Sequence, residues 1–278
     1  MPHFDTPNPI SVILEFDVGS ARIIATERTD TVVEVQPANG AEGADVKAAQ
    51  QTDVTLSGGQ LTVKGPKKRS LFGMNGSIAV TIELPAGSDI QGTSPVADYT
   101  CEGRFGDCRL KISVGAVRLD EASTVKLRTD HGIIRVDRVT GEAEVTAGGR
   151  IDVREIGGTA TVKNSNGETV LGEVHGNLRS NSANGQISVG VAHADVDARS
   201  ANGDIRVGEV ARGRVALEVA AGDIEVGIRE HAAAWLDVRT KLGAVHNSLG
   251  SADGPEASDE TVEVRARTAL GDIIIRRA

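Results

Sequence analysis

The sequence predicts an all-β fold: a single-stranded parallel β-solenoid with about 18 residues per rung and an N-terminal antiparallel β cap. Three segments that begin at Gly185, Gly203 and Gly222 share the pattern Gly-x-Ile-x-Val, at intervals of 18 and 19 residues. Apolar and polar residues alternate in each segment, as in a strand with one buried face. Aromatic residues make up only 2 % of the chain, which suits a core of thin stacked coils.

The repeat extends over most of the chain. A glycine of this kind is followed by inward-facing apolar residues two and four positions later, and a second alternating strand precedes it. We therefore expect Ile187, Ile205 and Ile224 to lie on top of one another in successive rungs. The marker glycines are Gly115, Gly132, Gly149, Gly167, Gly185, Gly203, Gly222, Gly243 and Gly271.

A change of parity at each glycine indicates a corner between the two strands of a rung. Inward-facing residues lie an odd number of positions before the glycine and an even number of positions after it. Glycine supplies the positive φ that such a corner needs. The alternative is a series of hairpins, because Asn166-Gly167, Asn184-Gly185 and Asn202-Gly203 are typical type I′ turn pairs. We favour the coil, since equivalent residues then stack on equivalent residues.

The chain divides into an N-terminal β cap, residues 1–95, and solenoid repeats over residues 96–278. The clearest strand of the cap alternates at Ile78, Val80, Ile82 and Leu84, and the one plausible helix covers residues 44–51. A loop over 66–75 carries three adjacent cations, which we interpret as solvated. The step from Gly243 to Gly271 contains a polar insertion loop over residues 249–260. The three cations are Lys67, Lys68 and Arg69.

Composition restricts the classes of partner. The net charge is −9, which argues against nucleic acid and anionic membranes, because both require a basic surface. The sequence contains no run of 18 apolar residues, so it predicts no membrane insertion. The start of the chain lacks a basic, apolar export signal, so we expect a cytoplasmic location. Cys101 and Cys108 are interpreted as thiols in a reducing compartment, with a local disulfide as the alternative.

Several stretches resemble one known family. The opening FDTPNPISVILEF, the segment VTIELPAGSDI and the recurring SANGDIRV and AAGDIEV look like the bacterial β-strand-repeat family of unknown function that is catalogued as "putative adhesin". The resemblance covers nearly the whole chain. It implies a β-solenoid with an N-terminal β cap, and it transfers no catalytic residues.

Two outward columns at the corners are candidates for chemistry. Asn166, Asn184 and Asn202 precede successive glycines, and we expect their amides to bond along the stack. Four further residues, three acids and one glutamine, follow successive glycines and could offer side-chain oxygens to calcium. We favour solvated acids beside backbone N–H groups, because one carboxylate per rung is sparse for calcium. These four are Glu168, Gln186, Asp204 and Asp223.

The histidines offer the other candidate site. His175 and His193 both lie eight residues after a marker glycine, so the repeat makes them neighbours, with Glu173 and Glu209 nearby. A two-histidine metal site or a histidine base is one interpretation. Because the hexapeptide repeat of solenoid acyltransferases is missing, we favour two exposed loop histidines. The sequence thus predicts no catalytic residues, no cofactor and no metal site.

These observations favour a non-enzymatic structural or interaction module, an adhesin-like solenoid scaffold that binds protein partners or itself. The alternative is a carbohydrate-active solenoid enzyme, a lyase or hydrolase, which needs clustered acids and a cation in a groove. The chain stops on a strand, and Ile274 is an apolar residue at an outward position. We therefore predict association through the C-terminal rung, unless Arg276 and Arg277 keep that edge unpaired.

Overall fold

The structure is a computed structural model that describes residues 1–66, 76–250 and 260–278. It consists of two compact units, Met1–Arg138 and Val139–Ala278. Both are built almost entirely of β-strands, so the predicted fold class is confirmed. Lys67, Lys68, Arg69 and most of the predicted insertion over 249–260 lie outside the described residues.

The first unit combines parallel and antiparallel pairing. Strands β1, β4, β5, β6 and β7 supply the antiparallel pairs β1–β4, β4–β7 and β5–β6, as expected for a cap. The first strands are β1 His3–Asp5, β2 Ser11–Glu15, β3 Val18–Thr26, β4 Asp30–Pro37, β5 Asp53–Ser57, β6 Gln60–Lys64, β7 Ile78–Pro85, β8 Asp89–Val114, β9 Val117–His131 and β10 Ile134–Val139.

Parallel coiling begins earlier than the glycine repeat suggested. Strand β2 pairs in parallel with β6 and β8, and β3 pairs in parallel with β7 and β8. About 50 residues separate β3 from β7 in the chain, including the helix α1, Gly43–Gln50. Because this long segment lies between the paired strands, the repeat is not recognisable in the N-terminal sequence. Among the described residues, no helix has the length and apolar character to span a membrane.

Both cysteines are free thiols in the core of the first unit. Cys101 and Cys108 are almost completely buried on β8. Burial disfavours the thiolate and raises the pKa of Cys101 to about 12; it also raises the pKa of Cys108 well above its usual value. The two groups are therefore protonated and poor nucleophiles at neutral pH.

The second unit is a stack of rungs, each of two strands joined at a glycine corner. Equivalent strands of successive rungs pair in parallel and in register. The strands are β11 Ala143–Ala147, β12 Ile151–Ile156, β13 Ala160–Asn166, β14 Thr169–Val174, β15 Leu178–Asn184, β16 Ile187–Ala192, β17 Val196–Asn202, β18 Ile205–Val210, β19 Gly213–Ala221, β20 Ile224–Ile228, β21 Ala233–Leu242, β22 Val245–Asn247, β23 Thr261–Leu270 and β24 Ile273–Arg277.

The predicted register of the core is confirmed. Ile187 pairs with Ile205, which pairs with Ile224, and all three side chains are fully buried. The hairpin alternative is wrong, because β15 pairs with β17 and β16 pairs with β18, both in parallel. The two strands joined at each Asn-Gly corner thus pair with equivalent strands of neighbouring rungs.

The last rung in sequence is not the last rung in space. Strand β23 lies between β19 and β21, and β24 lies between β20 and β22. Both edges of the C-terminal strands are therefore already paired, and the prediction of an uncovered C-terminal rung is wrong. The exposed end of the stack is formed by residues 233–247, strands β21 and β22, which we call the end rung.

The composition of the two rungs explains this order. Ile273 and Ile275 of β24 are fully buried in the positions between the neighbouring rungs. The equivalent residues of β22 are Val245 and Asn247, and both are exposed. Burying the Asn247 amide in an apolar stack would cost desolvation energy. The more apolar rung therefore lies inside the stack, and the more polar one forms its end.

Candidate functional site

The corner asparagines form the predicted ladder. The Nδ2 atom of Asn184 donates to Oδ1 of Asn166 over 3.0 Å, and Nδ2 of Asn202 donates to Oδ1 of Asn184 over 3.1 Å. Each amide thus bonds to the equivalent amide of the adjacent rung. This arrangement uses the asparagines to stabilise the stack.

The acids after the glycines also link rungs. Oδ1 of Asp204 accepts the backbone N–H of Asp223 at 2.9 Å, and Oδ1 of Asp223 accepts that of Asp272 at 2.7 Å. Asp272 in turn accepts the N–H of Ala244 at 2.7 Å. Such carboxylates satisfy backbone donors at the corners, as the sequence suggested. These hydrogen bonds link Asp204, Asp223, Asp272 and Ala244 in turn, and this order is the spatial order of their rungs.

His175 and His193 form a stacked pair on one lateral face of the second unit. Their ring centroids are 4.7 Å apart and their planes differ by 3°. Each histidine directly follows a strand, β14 or β16, and donates its backbone N–H to the preceding rung, to Ile156 and Val174 respectively. The repeat therefore places the two imidazoles one rung apart, as predicted.

Glu173 joins the two histidines. Its Oε1 atom lies 2.7 Å from Nε2 of His193 and 3.6 Å from Nε2 of His175. The hydrogen bond from His193, followed by the charges of both histidines, lowers the pKa of Glu173 below its usual value. The carboxylate is consequently ionised at neutral pH. All three ligand atoms lie within 4.8 Å of one another.

The other acid named from the sequence has a different role. Glu209 forms an ion pair with Nε of Arg229, one rung further along the stack. Arg212 lies close to the histidines, because its Nε donates to the backbone oxygen of His193 at 3.2 Å. Sequence spacing could place Glu173 in the correct rung. It could not decide whether the histidines share Glu173 or Glu209.

The end rung exposes groups that are buried in every rung beneath it. The inward residues Leu236 and Val238 are only half-buried, whereas Val264 and Ala266 of β23 are fully buried. Within the described parts of the chain, β21 pairs with β23 and with no other strand. The end rung therefore presents an open strand edge beside a partly exposed core.

Apolar and charged side chains border this edge. Trp235 is 55 % exposed and Leu242 is 67 % exposed, so large apolar surfaces face solvent at both ends of β21. The guanidinium of Arg265 lies 5.8 Å from the centre of the Trp235 ring. Asp237 forms ion pairs with Arg239 at 3.2 Å and with Arg267 at 3.3 Å.

The Arg276 and Arg277 side chains do not border the end rung as gatekeepers. Arg276 Nε bonds to Oε1 of Glu225 at 2.8 Å, towards the interior of the stack. Arg277 donates to the backbone oxygens of Arg229 and Ala232, both at 2.9 Å. These contacts hold the C-terminal strand in its internal position.

The corner glycines, the in-register parallel strands and the side-chain ladders define a β-solenoid repeat protein. The chain belongs to the Toastrack DUF4097 family, whose model matches residues 14–276. The resemblance found in the sequence is thus confirmed. No curated protein matches the chain.

Several solved structures are similar to this chain at low sequence identity. A "putative adhesin" from Bacteroides fragilis is 11 % identical, with a TM-score of 0.39; the match covers 99 % of this chain and 95 % of the other. A "putative lipid binding protein" from Parabacteroides distasonis is 12 % identical, with a TM-score of 0.44 and coverage of 100 % and 95 %. A "putative adhesin" from Parabacteroides merdae is 8 % identical, with a TM-score of 0.40 and coverage of 100 % and 95 %.

Proposed function

We propose that this chain is a non-enzymatic interaction module that pairs with a second copy of itself through the end rung. The open edge of β21 is the observation that supports this proposal. Its backbone N–H and C=O groups form a template for another strand. The half-buried Leu236 and Val238 would lose further contact with water when another rung covers them, which favours association.

Charge complementarity along β21 favours an antiparallel partner with the same sequence. When two copies of β21 pair about a two-fold axis through Val238, Asp237 of one copy lies opposite Arg239 of the other. The same register places Trp235 opposite Lys241, a pair suited to a cation–π contact. Opposite charges across a strand pair stabilise it by roughly 0.2–1 kcal/mol each.

The neighbouring registers are less favourable. A shift of the axis to residue 237 places Asp237 opposite its own copy, and a shift to residue 239 does the same for Arg239. Like charges directly opposite each other destabilise a strand pair. In the register centred on Val238, the inward Leu236 of each copy lies opposite the inward Thr240 of the other. A symmetric, closed dimer follows from this pairing.

The surface ladders support a structural role over the enzymatic alternative. A carbohydrate-active site would need acids and a cation converging in a groove. On β20, Glu225 is paired with an arginine of each neighbouring rung, with Arg206 of β18 at 3.8 Å and with Arg276 of β24 at 2.8 Å. Such pairs neutralise one another along a regular face.

Light scattering coupled to size exclusion tests the self-association. We expect a dimer that dissociates on dilution through micromolar concentrations. Arg239→Asp should yield a monomer, because it places an acid opposite Asp237 of the partner. The double variant Asp237→Arg/Arg239→Asp should restore the dimer, because it reverses both charges of each pair.

Arg199→Asp is the matched control. Arg199 occupies the same outward column as Arg239, on β17, and the column is continuous through Glu218 and Arg267. It lies inside the stack and away from the end rung, so this variant should remain dimeric. A wild-type monomer at all concentrations would contradict the proposal and would assign Arg239 and Lys241 to keeping the edge unpaired. Dissociation by Arg199→Asp would equally contradict the proposed surface.

A further inference from the structure

We infer that Glu173, His175 and His193 form a binding site for a divalent transition-metal ion such as Zn²⁺ or Ni²⁺. The sequence favoured two independent histidines, because spacing alone supplied two imidazoles and no defined third ligand. The structure adds the Glu173 carboxylate, which lies between them. Two imidazoles and one carboxylate make a donor set that zinc uses in proteins, with an open fourth position.

The distances suit one shared ion. Ligand atoms around a tetrahedral zinc at about 2.0–2.1 Å from the metal lie about 3.3 Å from one another. Oε1 of Glu173 is already 2.7 Å and 3.6 Å from the two Nε2 atoms, and the three ligand atoms span no more than 4.8 Å. An ion can therefore replace the direct hydrogen bond between His193 and Glu173 once the imidazole rings rotate.

The rings must tilt to bind, and their exposure allows it. A metal ion lies close to the plane of an imidazole that binds it, so two parallel rings cannot both coordinate the same ion without rotation. The side chains of His175 and His193 are 43 % and 26 % exposed, which leaves room for rotation towards solvent. Each imidazole binds through Nε2 when neutral, with its proton on Nδ1.

The backbone fixes the spacing of the site. His175 and His193 follow equivalent strands in adjacent rungs, and Glu173 pairs in register with Val191 two residues before His193. Glu173 is part of the parallel ladder, and the backbone N–H bonds of His175 and His193 to the preceding rung continue that ladder beyond the strand ends, which favours a preorganised site. The ionised Glu173 attracts the cation, and Arg212 near the backbone of His193 opposes it.

The open position gives this site a role distinct from that of a buried structural metal. A structural zinc ion has four protein ligands, whereas three ligands leave a place for water or for a donor atom of another molecule. The site lies on β14 and β16, several rungs from the end rung within the same unit. Metal binding is therefore independent of the proposed pairing of β21.

Isothermal titration with ZnCl₂ and NiCl₂ tests the site, together with the visible spectrum of the Co²⁺-loaded protein. We expect one ion per chain with micromolar affinity. We also expect the visible absorption bands of a Co²⁺ ion that has few ligands, all of them nitrogen or oxygen atoms. His175→Ala, His193→Ala and Glu173→Gln should each weaken binding at least tenfold, a loss of about 1.4 kcal/mol. His131→Ala, which alters an exposed histidine of the first unit, should bind like the wild type.

Two outcomes would overturn the assignment. One is the absence of stoichiometric binding by the wild type. The other is binding that His193→Ala leaves unchanged. Circular dichroism checks that each variant is folded, and Arg239→Asp provides a further control, because it should retain the ion whether or not the chain dimerises.

Discussion

Ile205→Asp is expected to lower the free energy of unfolding by about 4 kcal/mol or more. Ile205 is fully buried between Ile187 and Ile224, so the new carboxylate would lose its hydration without gaining a partner. The cost combines the lost apolar contact with the burial of a charge or its protonation. Urea unfolding followed by circular dichroism measures the change.

Arg206→Asp provides the control for the register. Arg206 is adjacent to Ile205 but points outward, where its side chain is 54 % exposed and lies near Asp204 and Glu225. Replacing it removes weak surface ion pairs and adds a like charge, which should cost no more than about 1 kcal/mol. Equal losses of stability in the two variants would contradict the inward and outward assignments.

Gly203→Ala is expected to cost about 3 kcal/mol or more, because two effects combine at this corner. Gly203 has a φ of +126°, a region that side chains with a Cβ rarely occupy. A Cβ built there would lie 2.6 Å from the carbonyl carbon of Gly185 in the adjacent rung. Since the obstacle is backbone, relief requires a shift of the stack itself.

Gly250→Ala is the matched substitution for this test. A Cβ at Gly250 meets no atom of the described residues within 4 Å, so the change should alter stability by no more than about 0.5 kcal/mol. Thermal unfolding of both variants, compared with the wild type, separates the corner effect from a general effect of removing glycine. A Gly203→Ala protein as stable as Gly250→Ala would mean that the corner is formed differently.

The core register and the corner ladder could be predicted from the sequence because they depend on local repetition. Once Gly185, Gly203 and Gly222 are aligned, the inward isoleucines and the ladder of Asn184 and Asn202 follow without further information. Parallel stacking brings identical residues together, so a similarity in sequence becomes a contact in space. The same reasoning correctly placed His175 beside His193.

The order of the final rungs could not be read from the repeat. Spacing gives a reason to stack each rung on the one before it, but the insertion between Gly243 and Gly271 supplies enough chain for another order. The decisive quantity is the polarity of residues at inward positions. Asn247 is disfavoured inside the stack, while Ile275 is favoured there. The early parallel strands of the first unit were hidden for a related reason, since long intervening segments interrupt the period.

Cross-linking through engineered cysteines tests the rung order most directly. Glu225, Ile274 and His246 share one outward column, with Ile274 in the middle. Adjacent strands lie about 4.8 Å apart, within the range that a disulfide can bridge, whereas strands two apart are separated by about 9.6 Å and exceed it. The native Cys101 and Cys108 are buried, so they do not compete.

Each cysteine pair is oxidised in dilute solution, and the disulfide is identified by peptide mass mapping of the monomeric gel band. We expect efficient cross-linking of Glu225→Cys/Ile274→Cys and of His246→Cys/Ile274→Cys, and none of Glu225→Cys/His246→Cys. Cross-linking of Glu225→Cys/His246→Cys, with Glu225→Cys/Ile274→Cys unreacted, would place the rungs in sequence order. That result would contradict the internal position of β24 and remove the end rung on which the proposed pairing depends.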